Sequence, residues 1–216
     1  MPTRPELSPL PTRRPLRVAA LVSGGGTTVK NLAEVIAAGG LDAEIVAVVC
    51  SNDKAREQVS QKVPGIPTHL VSRKDHTHDG EFDIAAFSQR IFDDLRAADT
   101  DLVVLAGFLS KLRIPDDFAG RVLNIHPALL PAYGGQGMHG RHVHAAVIAA
   151  GESRSGCTVH YADQSYDTGP IILQKSCDVL PDDTPETLAA RVFEQEKRAY
   201  PEAIRRLMQA PPPSSR

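Results

Sequence analysis

Short runs of apolar residues alternate with amphipathic segments along the first two thirds of the chain. Unbroken apolar runs are typical of strands buried on both faces, and apolar residues three and four apart are typical of helices packed on such a sheet. Predicted strands lie at 18–22, 45–50, 68–71, 102–106 and 121–127, and predicted helices at 29–36, 54–62, 82–95 and 142–150. This alternation over residues 17–150 predicts an α/β fold with a doubly wound, mostly parallel sheet.

The rest of the chain predicts further strands at 156–161 and 171–177 and a long helix that begins after Thr184. Residues 72–80 are polar and are predicted to form a mobile loop. Prolines cluster among polar residues at both ends of the chain. We therefore expect a disordered leader at 1–15, one domain at 16–209 and a disordered tail at 210–216.

Composition narrows the class of protein. The 216 residues are 42% hydrophobic and 23% charged with a formal net charge of −2, which suits one globular domain without a basic surface for nucleic acid or anionic membranes. No run approaches the ~18 apolar residues of a transmembrane helix, and no secretory signal is visible. Three widely spaced cysteines (Cys50, Cys157 and Cys177) suggest reduced core thiols, so we expect a cytoplasmic protein.

A glycine-rich loop follows the first strand and precedes a helix, in the order Ser23-Gly24-Gly25-Gly26-Thr27-Thr28. This arrangement binds anions, because backbone N–H groups and a helix N-terminus meet there. Position 29 is Val, so the dinucleotide pattern G-x-G-x-x-G fails, and no Walker A lysine follows. The loop predicts a site for a single phosphate, with a ligand-free glycine turn as the alternative.

A polar pair ends the strand predicted at 121–127. Asn124 and His126 share one face because strand side chains alternate, and Pro127 stops the strand. Open α/β sheets bind ligands at the carboxyl ends of their strands. The pair is therefore either a ligand site or a polar strand end with a satisfied hydrogen bond.

Other polar residues allow two interpretations each. Asp167 lies in a predicted tight turn, where an aspartate commonly bonds its own backbone. Glu196 lies on the apolar stripe of the last helix, either as a solvent charge or as a buried acceptor for a ligand. His139, His142 and His144 could suggest a metal, but no cysteine or carboxylate is spaced to complete a site, so we expect none.

Four motifs follow one another along the chain: Leu21-Val-Ser-Gly-Gly-Gly-Thr-Thr, Val103-Val-Leu-Ala-Gly-Phe108, Leu123-Asn-Ile-His-Pro-Ala-Leu-Leu-Pro131 and Tyr166-Asp-Thr-Gly-Pro-Ile-Ile-Leu173. Together they resemble the phosphoribosylglycinamide formyltransferase family, the folate-dependent transformylases of purine synthesis. The resemblance covers about residues 17–208 and implies a Rossmann-like formyltransferase fold. Related methionyl-tRNA formyltransferases and formyltetrahydrofolate hydrolases resemble this domain with an additional domain, which this sequence does not show.

The resemblance implies transfer of a formyl group from 10-formyltetrahydrofolate, as co-substrate, to the amine of glycinamide ribonucleotide. It implies small-molecule partners, no nucleic acid or membrane, no metal, and a monomer or homodimer. It assigns catalysis to Asn124, His126 and Asp167. It assigns the ribonucleotide phosphate to Gly24, Gly25, Gly26, Thr27 and Thr28, the ribose to Glu196, and folate to Leu109, Ser110, Lys111, Leu112, Asn124, Asp163 and Asp167.

The sequence departs from the family pattern at three places. Gly25 and Thr28 replace two asparagines that are common in the phosphate loop, and Leu109-Ser110 replaces a common Met-Arg pair. The loop at 133–140 also differs from the commonest pattern. We expect backbone N–H groups and the Thr27 and Thr28 hydroxyls to bind the phosphate in place of the asparagines.

The resemblance suggests a mechanism in which the amine attacks the formyl carbon and an oxyanion develops. We expect Asn124 to donate to it from its amide and His126 to donate as an imidazolium. Asp167 is expected to raise the pKa of His126 and orient it. Two alternatives remain: a formyltetrahydrofolate hydrolase, in which water replaces the amine, and a non-catalytic folate- or nucleotide-binding protein.

Overall fold

The computed structural model of the protein describes residues 15–209. The predicted leader, apart from Pro15, and the predicted tail at 210–216 lie outside the described residues. The described chain divides into two compact units, residues 15–122 and residues 123–209.

The first unit contains a parallel sheet, a small hairpin and three helices. Its strands are β1 (Leu16–Val22), β2 (Ala43–Cys50), β3 (Thr68–Leu70), β4 (Thr77–His78), β5 (Glu81–Phe82) and β6 (Leu102–Leu105), and its helices are α1 (Thr27–Ala37), α2 (Asp53–Lys62) and α3 (Ile84–Ala97). Strands β3, β2, β1 and β6 are neighbours in that order and pair in parallel. The predicted mostly parallel α/β sheet is confirmed.

Sequence patterns explain these elements. Six of the seven residues of β1 are buried, as expected for a strand covered on both faces. Asn52 caps α2, because its side chain accepts from the Ala55 N–H at 2.9 Å. Helix α3 begins later than predicted: Asp83 caps it by accepting from the N–H groups of Ala85 and Ala86, and Phe82 belongs to β5.

The segment predicted as a mobile loop at 72–80 contains regular structure. A 3-10 turn at Lys74–His76 precedes the antiparallel pair β4 and β5. The Phe82 ring meets the buried Phe87 ring edge to face, with centroids 5.2 Å apart, and the Arg73 guanidinium lies 4.1 Å from the Phe82 centroid. Local polarity did not reveal this order, because the aromatic contacts join residues on different elements.

Helix α1 begins directly after the glycine-rich loop, as predicted. Its N-cap is Gly26, which has φ +70° and makes no side-chain cap hydrogen bond. A Cβ atom at position 26 would lie 2.6 Å from Cγ2 of Val59, on α2. Both the left-handed backbone and the close approach of α2 therefore require glycine here.

The second unit contains three antiparallel strands and two helices. Its elements are β7 (Val122–His126), whose first residue falls in the first unit, β8 (Arg154–Tyr161), β9 (Ile171–Asp178), α4 (Arg141–Ala149) and α5 (Pro185–Gln209). Strand β8 lies between β7 and β9 and is antiparallel to both. The buried Tyr200 of α5 fixes this helix to β7, because its hydroxyl donates to the Leu123 carbonyl at 3.0 Å.

The three cysteines are free and buried, as predicted. Burial raises the pKa of Cys50 to about 11 and that of Cys157 to about 12, so both are protonated and unreactive near neutral pH. Within residues 15–209, no helix combines the length and the apolar character needed to span a bilayer.

We predict that Gly26→Ala lowers the free energy of unfolding by more than ~1 kcal/mol, because alanine is strained at a positive φ and meets Val59. Gly24→Ala is the matched control, since an added Cβ at position 24 meets nothing within 4 Å. Urea unfolding of both variants measures the difference. Equal stability of the two variants would contradict the geometry assigned to this loop.

Candidate active site

Strands β7 and β8 bring polar side chains together on one face of the second unit. Asn124 pairs with His160 and His126 pairs with Thr158 across the antiparallel ladder. Residues directly opposite each other have neighbouring side chains, so Asn124 and His160 meet. His126 and His160 are 3% and 1% exposed, so this face excludes water from both rings.

Asp167 reaches this face from the turn between β8 and β9. Its φ of +57° is unusual for a residue other than glycine, and Gly169 beside it has no room for a side chain, because a Cβ would lie 1.8 Å from the Tyr161 carbonyl oxygen. The alternative in which Asp167 only bonds its own turn is wrong. That role falls to Asp163, which accepts from the Ser165 N–H at 2.8 Å and from the Thr168 hydroxyl.

The Asp167 carboxylate contacts every polar group of the cluster. Oδ1 accepts from Nδ2 of Asn124 at 3.2 Å, and Oδ2 accepts from the Gly135 N–H at 3.0 Å. Nδ1 of His126 lies 3.4 Å from Oδ2, and Nε2 of His160 lies 3.5 Å from Oδ1. Burial acts to raise the pKa of Asp167, but its contacts with His160, Gly135 and His126 outweigh burial and lower it. The carboxylate is therefore charged at neutral pH.

His126 bridges Asp167 and the chain at Tyr133. Its Nε2–H donates to the Tyr133 carbonyl at 2.7 Å. Burial lowers the pKa of His126, and the opposing effects of Asp167 and the Tyr133 carbonyl do not restore it. Asp167 raises the pKa of His126, as expected, but burial is the larger effect and the net pKa is lowered. The free protein holds a neutral imidazole because desolvation dominates.

The Asn124 amide has both hydrogens directed at protein acceptors. Its Nδ2 lies 3.2 Å from Nε2 of His160 and 3.2 Å from Oδ1 of Asp167. In this arrangement neither N–H is available for an oxyanion, in contrast to the expected role. Within residues 15–209, no hydrogen bond to Oδ1 of Asn124 accompanies these two.

The glycine-rich loop lies in the first unit with its backbone held by neighbouring side chains. The Ser23 hydroxyl accepts from the Leu109 N–H at 3.0 Å and from the Ser51 hydroxyl at 2.8 Å. The Ser23 carbonyl accepts from Nδ2 of Asn52 at 3.0 Å. Ser23 thus links the loop to the β2–α2 turn and to the segment after β6.

Lys62 at the end of α2 reaches the same loop, and the sequence analysis did not identify it. Its Nζ donates to the Gly25 carbonyl and lies 3.2 Å from the position of a Cβ at Gly25. The first turn of α1 carries no acidic residue. The loop therefore combines a helix N-terminus, two threonines and one ammonium group, all of which favour an anion.

The residues assigned to folate lie on separate units. In the first unit, Leu109 is 56% exposed and Leu112 is buried, with Ser110 half-buried and Lys111 exposed between them. In the second unit, Asp163 orders the turn that carries Asp167.

Glu196 on α5 is neither a simple solvent charge nor a paired one. Burial raises its pKa to about 7. Cys157 of β8 lies near it, and no ion pair or hydrogen bond of its carboxylate is found within residues 15–209. A half-buried carboxylate without a fixed donor is suited to accept hydrogen bonds from a ligand.

The sequence analysis also missed His160 and the backbone groups of Tyr133 and Gly135. The antiparallel register of β7 and β8 was the signal for His160, since it places this residue opposite Asn124. Among the described residues 15–209, no group of three or more His, Cys, Asp or Glu side chains has an arrangement able to hold a metal ion.

Residues 16–204 match the family model described as "Formyl transferase". The chain is 35% identical over 191 residues to the phosphoribosylglycinamide formyltransferase of Haemophilus influenzae, an alignment that covers 88% of this chain and 85% of that protein. A solved phosphoribosylglycinamide formyltransferase from Brucella melitensis is 36% identical with a TM-score of 0.78, covering 91% of this chain and 97% of that one. A formyltetrahydrofolate deformylase from Pseudomonas syringae, at 22% identity and a TM-score of 0.78, shows the shared fold alone.

Some relatives are much longer than this chain. It is 36% identical to the Drosophila melanogaster trifunctional purine biosynthetic protein adenosine-3 and to the chloroplastic phosphoribosylglycinamide formyltransferase of Arabidopsis thaliana, but it spans 14% and 64% of their lengths. The bacterial relatives are covered over most of their length: the Bacillus subtilis phosphoribosylglycinamide formyltransferase is 31% identical, and the alignment covers 89% of this chain and 94% of that protein. The chain belongs to the formyl transferase family and, within it, to the phosphoribosylglycinamide formyltransferases.

Proposed function

We propose that the chain transfers the formyl group of 10-formyltetrahydrofolate to the amine of glycinamide ribonucleotide, giving formylglycinamide ribonucleotide and tetrahydrofolate in de novo purine (IMP) biosynthesis. The observation that carries the proposal is the hydrogen-bonded cluster of Asn124, Asp167 and the buried His126, found in a chain of this family. We further propose that it acts on these small molecules alone, in the cytoplasm, as a monomer or homodimer.

The cluster provides what formyl transfer requires. The amine nitrogen attacks the formyl carbon, the carbonyl electron pair moves to oxygen, and the carbon–nitrogen bond to folate then breaks. The amine must lose a proton, and the folate nitrogen must gain one. His126 is neutral because burial lowers its pKa. Once substrate replaces the Tyr133 carbonyl, the ring carries its proton on Nδ1, toward Asp167, and its unprotonated Nε2 accepts the proton from the attacking nitrogen and returns it to the folate nitrogen.

Asp167 supports both halves of this transfer. Its charge, 3.4 Å from Nδ1 of His126, stabilises the imidazolium that forms during the reaction and holds the ring in place. The Nε2–H of the imidazolium formed in this way donates to the oxyanion before its proton passes to the folate nitrogen. All steps use side chains of the protein, and the proposal assigns no metal.

The ribonucleotide binds through its phosphate and its ribose. We assign the phosphate to Gly24–Thr28, where the ammonium group of Lys62 supplies charge that the family's asparagines do not. The two ribose hydroxyls donate to Glu196, whose carboxylate is desolvated before substrate arrives. We assign folate contacts to Leu109, Ser110, Lys111 and Leu112 in the first unit and to Asn124, Asp163 and Asp167 in the second.

The decisive experiment is a transfer assay with 10-formyltetrahydrofolate in the presence and absence of glycinamide ribonucleotide. We predict turnover only with the ribonucleotide. Asp167→Asn and His126→Ala are expected to lower kcat by about 10²–10³, because charge and proton transfer are lost at the reacting centre. The exposed His139→Ala is the control and should retain full activity. Turnover of 10-formyltetrahydrofolate without the ribonucleotide would indicate a hydrolase. No turnover with or without the ribonucleotide would indicate a non-catalytic binding protein.

Lys62→Met is predicted to raise KM for glycinamide ribonucleotide roughly tenfold and to leave kcat and KM for folate unchanged, because a charge-assisted hydrogen bond to phosphate is lost. Lys54→Met, in the exposed first turn of the same helix, is the matched control. Steady-state kinetics with each substrate varied gives both constants. An unchanged KM in Lys62→Met would exclude this lysine from the phosphate site.

Glu196 gives a prediction with a defined pH window. Its pKa rises from 4.5 in the unfolded chain to about 7, so the stability that it contributes is complete below about 4.5 and is lost as pH rises through about 7. Glu196→Gln should therefore be more stable than wild type at pH 8, by roughly 2 kcal/mol, and equally stable at pH 4.5. The same variant should raise KM for the ribonucleotide roughly tenfold at pH 8, where wild type presents a carboxylate.

Urea unfolding at the two pH values and KM at pH 6 and 8 measure these effects. Glu194→Gln is the matched control, since Glu194 is exposed and paired with Lys197 on the same helix. A wild-type KM that does not fall between pH 6 and 8 would refute a ribose contact through the ionised group.

A further inference from the structure

His160 is a buried histidine to which the proposed reaction assigns no role. It lies on β8 directly opposite Asn124 and is 1% exposed. Its side chain shares a face with Asn124 and His126, whereas Cys157, near Glu196, points to the other face because strand side chains alternate. Because its ring is buried, His160 can affect a bound substrate only through the residues that surround it.

The backbone selects one tautomer of His160. Its Nδ1 lies 2.8 Å from the Tyr161 carbonyl oxygen, which can only accept a hydrogen bond. The proton of the neutral ring is therefore on Nδ1. Its Nε2 then carries a lone pair and faces the amide nitrogen of Asn124 at 3.2 Å.

The hydrogen-bonding partners of Asn124 also fix the orientation of its amide group. With Nδ2 toward the cluster, one N–H donates to Nε2 of His160 and the other donates to Oδ1 of Asp167. The flipped amide would place its oxygen against a carboxylate oxygen and a ring lone pair, three acceptors without a donor. The amide oxygen Oδ1 of Asn124 is consequently the atom that is left for a ligand.

We propose that His160 is a positioning residue for formyl transfer, which holds the Asn124 amide with its carbonyl oxygen toward the attacking amine. The inference rests on the proposed function and deepens it. Oδ1 of Asn124 accepts one N–H of the amine, so that the nitrogen lone pair is directed at the formyl carbon. Asn124 thus orients the nucleophile, and the oxyanion is left to His126.

A competing hydrogen-bond scheme makes the proposal testable. If His160 carried protons on both nitrogens, its Nε2–H would donate to Oδ1 of Asp167, 3.5 Å away. One N–H of Asn124 would then be released toward substrate, and Asn124 would act as a donor. The protonation state of Nε2 in the free protein separates the two schemes.

The kinetic test compares two variants of similar size. His160→Leu removes the acceptor, and we expect kcat to fall roughly 30-fold while both KM values stay within about twofold, because the lost contact acts on orientation and not on substrate binding. His160→Gln can place an amide oxygen near the position of Nε2, so it should recover at least about a third of the wild-type kcat. Thermal unfolding of both variants checks that each is folded.

The spectroscopic test uses wild-type protein labelled with ¹⁵N at histidine. The shifts of the His160 ring, assigned by its loss in His160→Gln, are expected to show a protonated Nδ1 and an unprotonated Nε2 at pH 7.5. A protonated Nε2 would overturn the proposal in favour of the competing scheme. Near-wild-type kcat in a folded His160→Leu would also overturn it, as would a folded His160→Gln as impaired as His160→Leu.

These outcomes separate the inference from the function on which it rests. Wild-type protein that turns over no glycinamide ribonucleotide removes the proposed function, and with it the role in catalysis, whatever the NMR spectrum shows. Active wild-type protein with an insensitive His160 removes the positioning role alone.

Discussion

The buried charge of Asp167 is the constraint on which the chemistry of the second unit depends. An ionised carboxylate in a dry site is unfavourable unless donors surround it. Here an asparagine amide and a backbone N–H donate to it, and two imidazole rings lie beside it. The pairing of β7 with β8, the positive φ of Asp167 and the closeness of Gly169 to Tyr161 all serve to bring those groups together. The site is a polar network in which each member fixes the state of the next.

Glu196 is a group that gains from a ligand. Its carboxylate is desolvated and no donor to it is found within residues 15–209, which is unfavourable in the free protein. A donor from a bound substrate would offset this cost. Burial likewise keeps His126 neutral until, in the proposed reaction, the attacking amine releases a proton beside it. The pKa values of the site are therefore set mainly by desolvation, and specific contacts then adjust them.

Sequence reasoning predicted the fold, and together with the resemblance it proposed Asn124, His126 and Asp167 as site residues. Buried runs and helical spacing predicted the strands and helices, and period-two alternation placed Asn124 and His126 on one face. The resemblance supplied Asp167, which local turn chemistry alone would have assigned to its own backbone. What the sequence could not supply depends on contacts between distant residues: the His160–Asn124 pair, Lys62 at Gly25, and the aromatic contacts of Phe82. Predicting the direction of the pKa shift of His126 also required knowledge of its burial, because burial outweighs the effect of the neighbouring charge.

The central claim is that Asn124, His126 and Asp167 surround the reacting atoms and that Asn124 faces them with its carbonyl oxygen. A crystal structure with glycinamide ribonucleotide and a stable analogue of the formyl donor tests this most directly. The account predicts the substrate amine at about 3 Å from Oδ1 of Asn124, with Nδ2 still on His160 and Asp167. An amine bound away from this cluster, or an Asn124 amide turned with its nitrogen toward substrate, would contradict it.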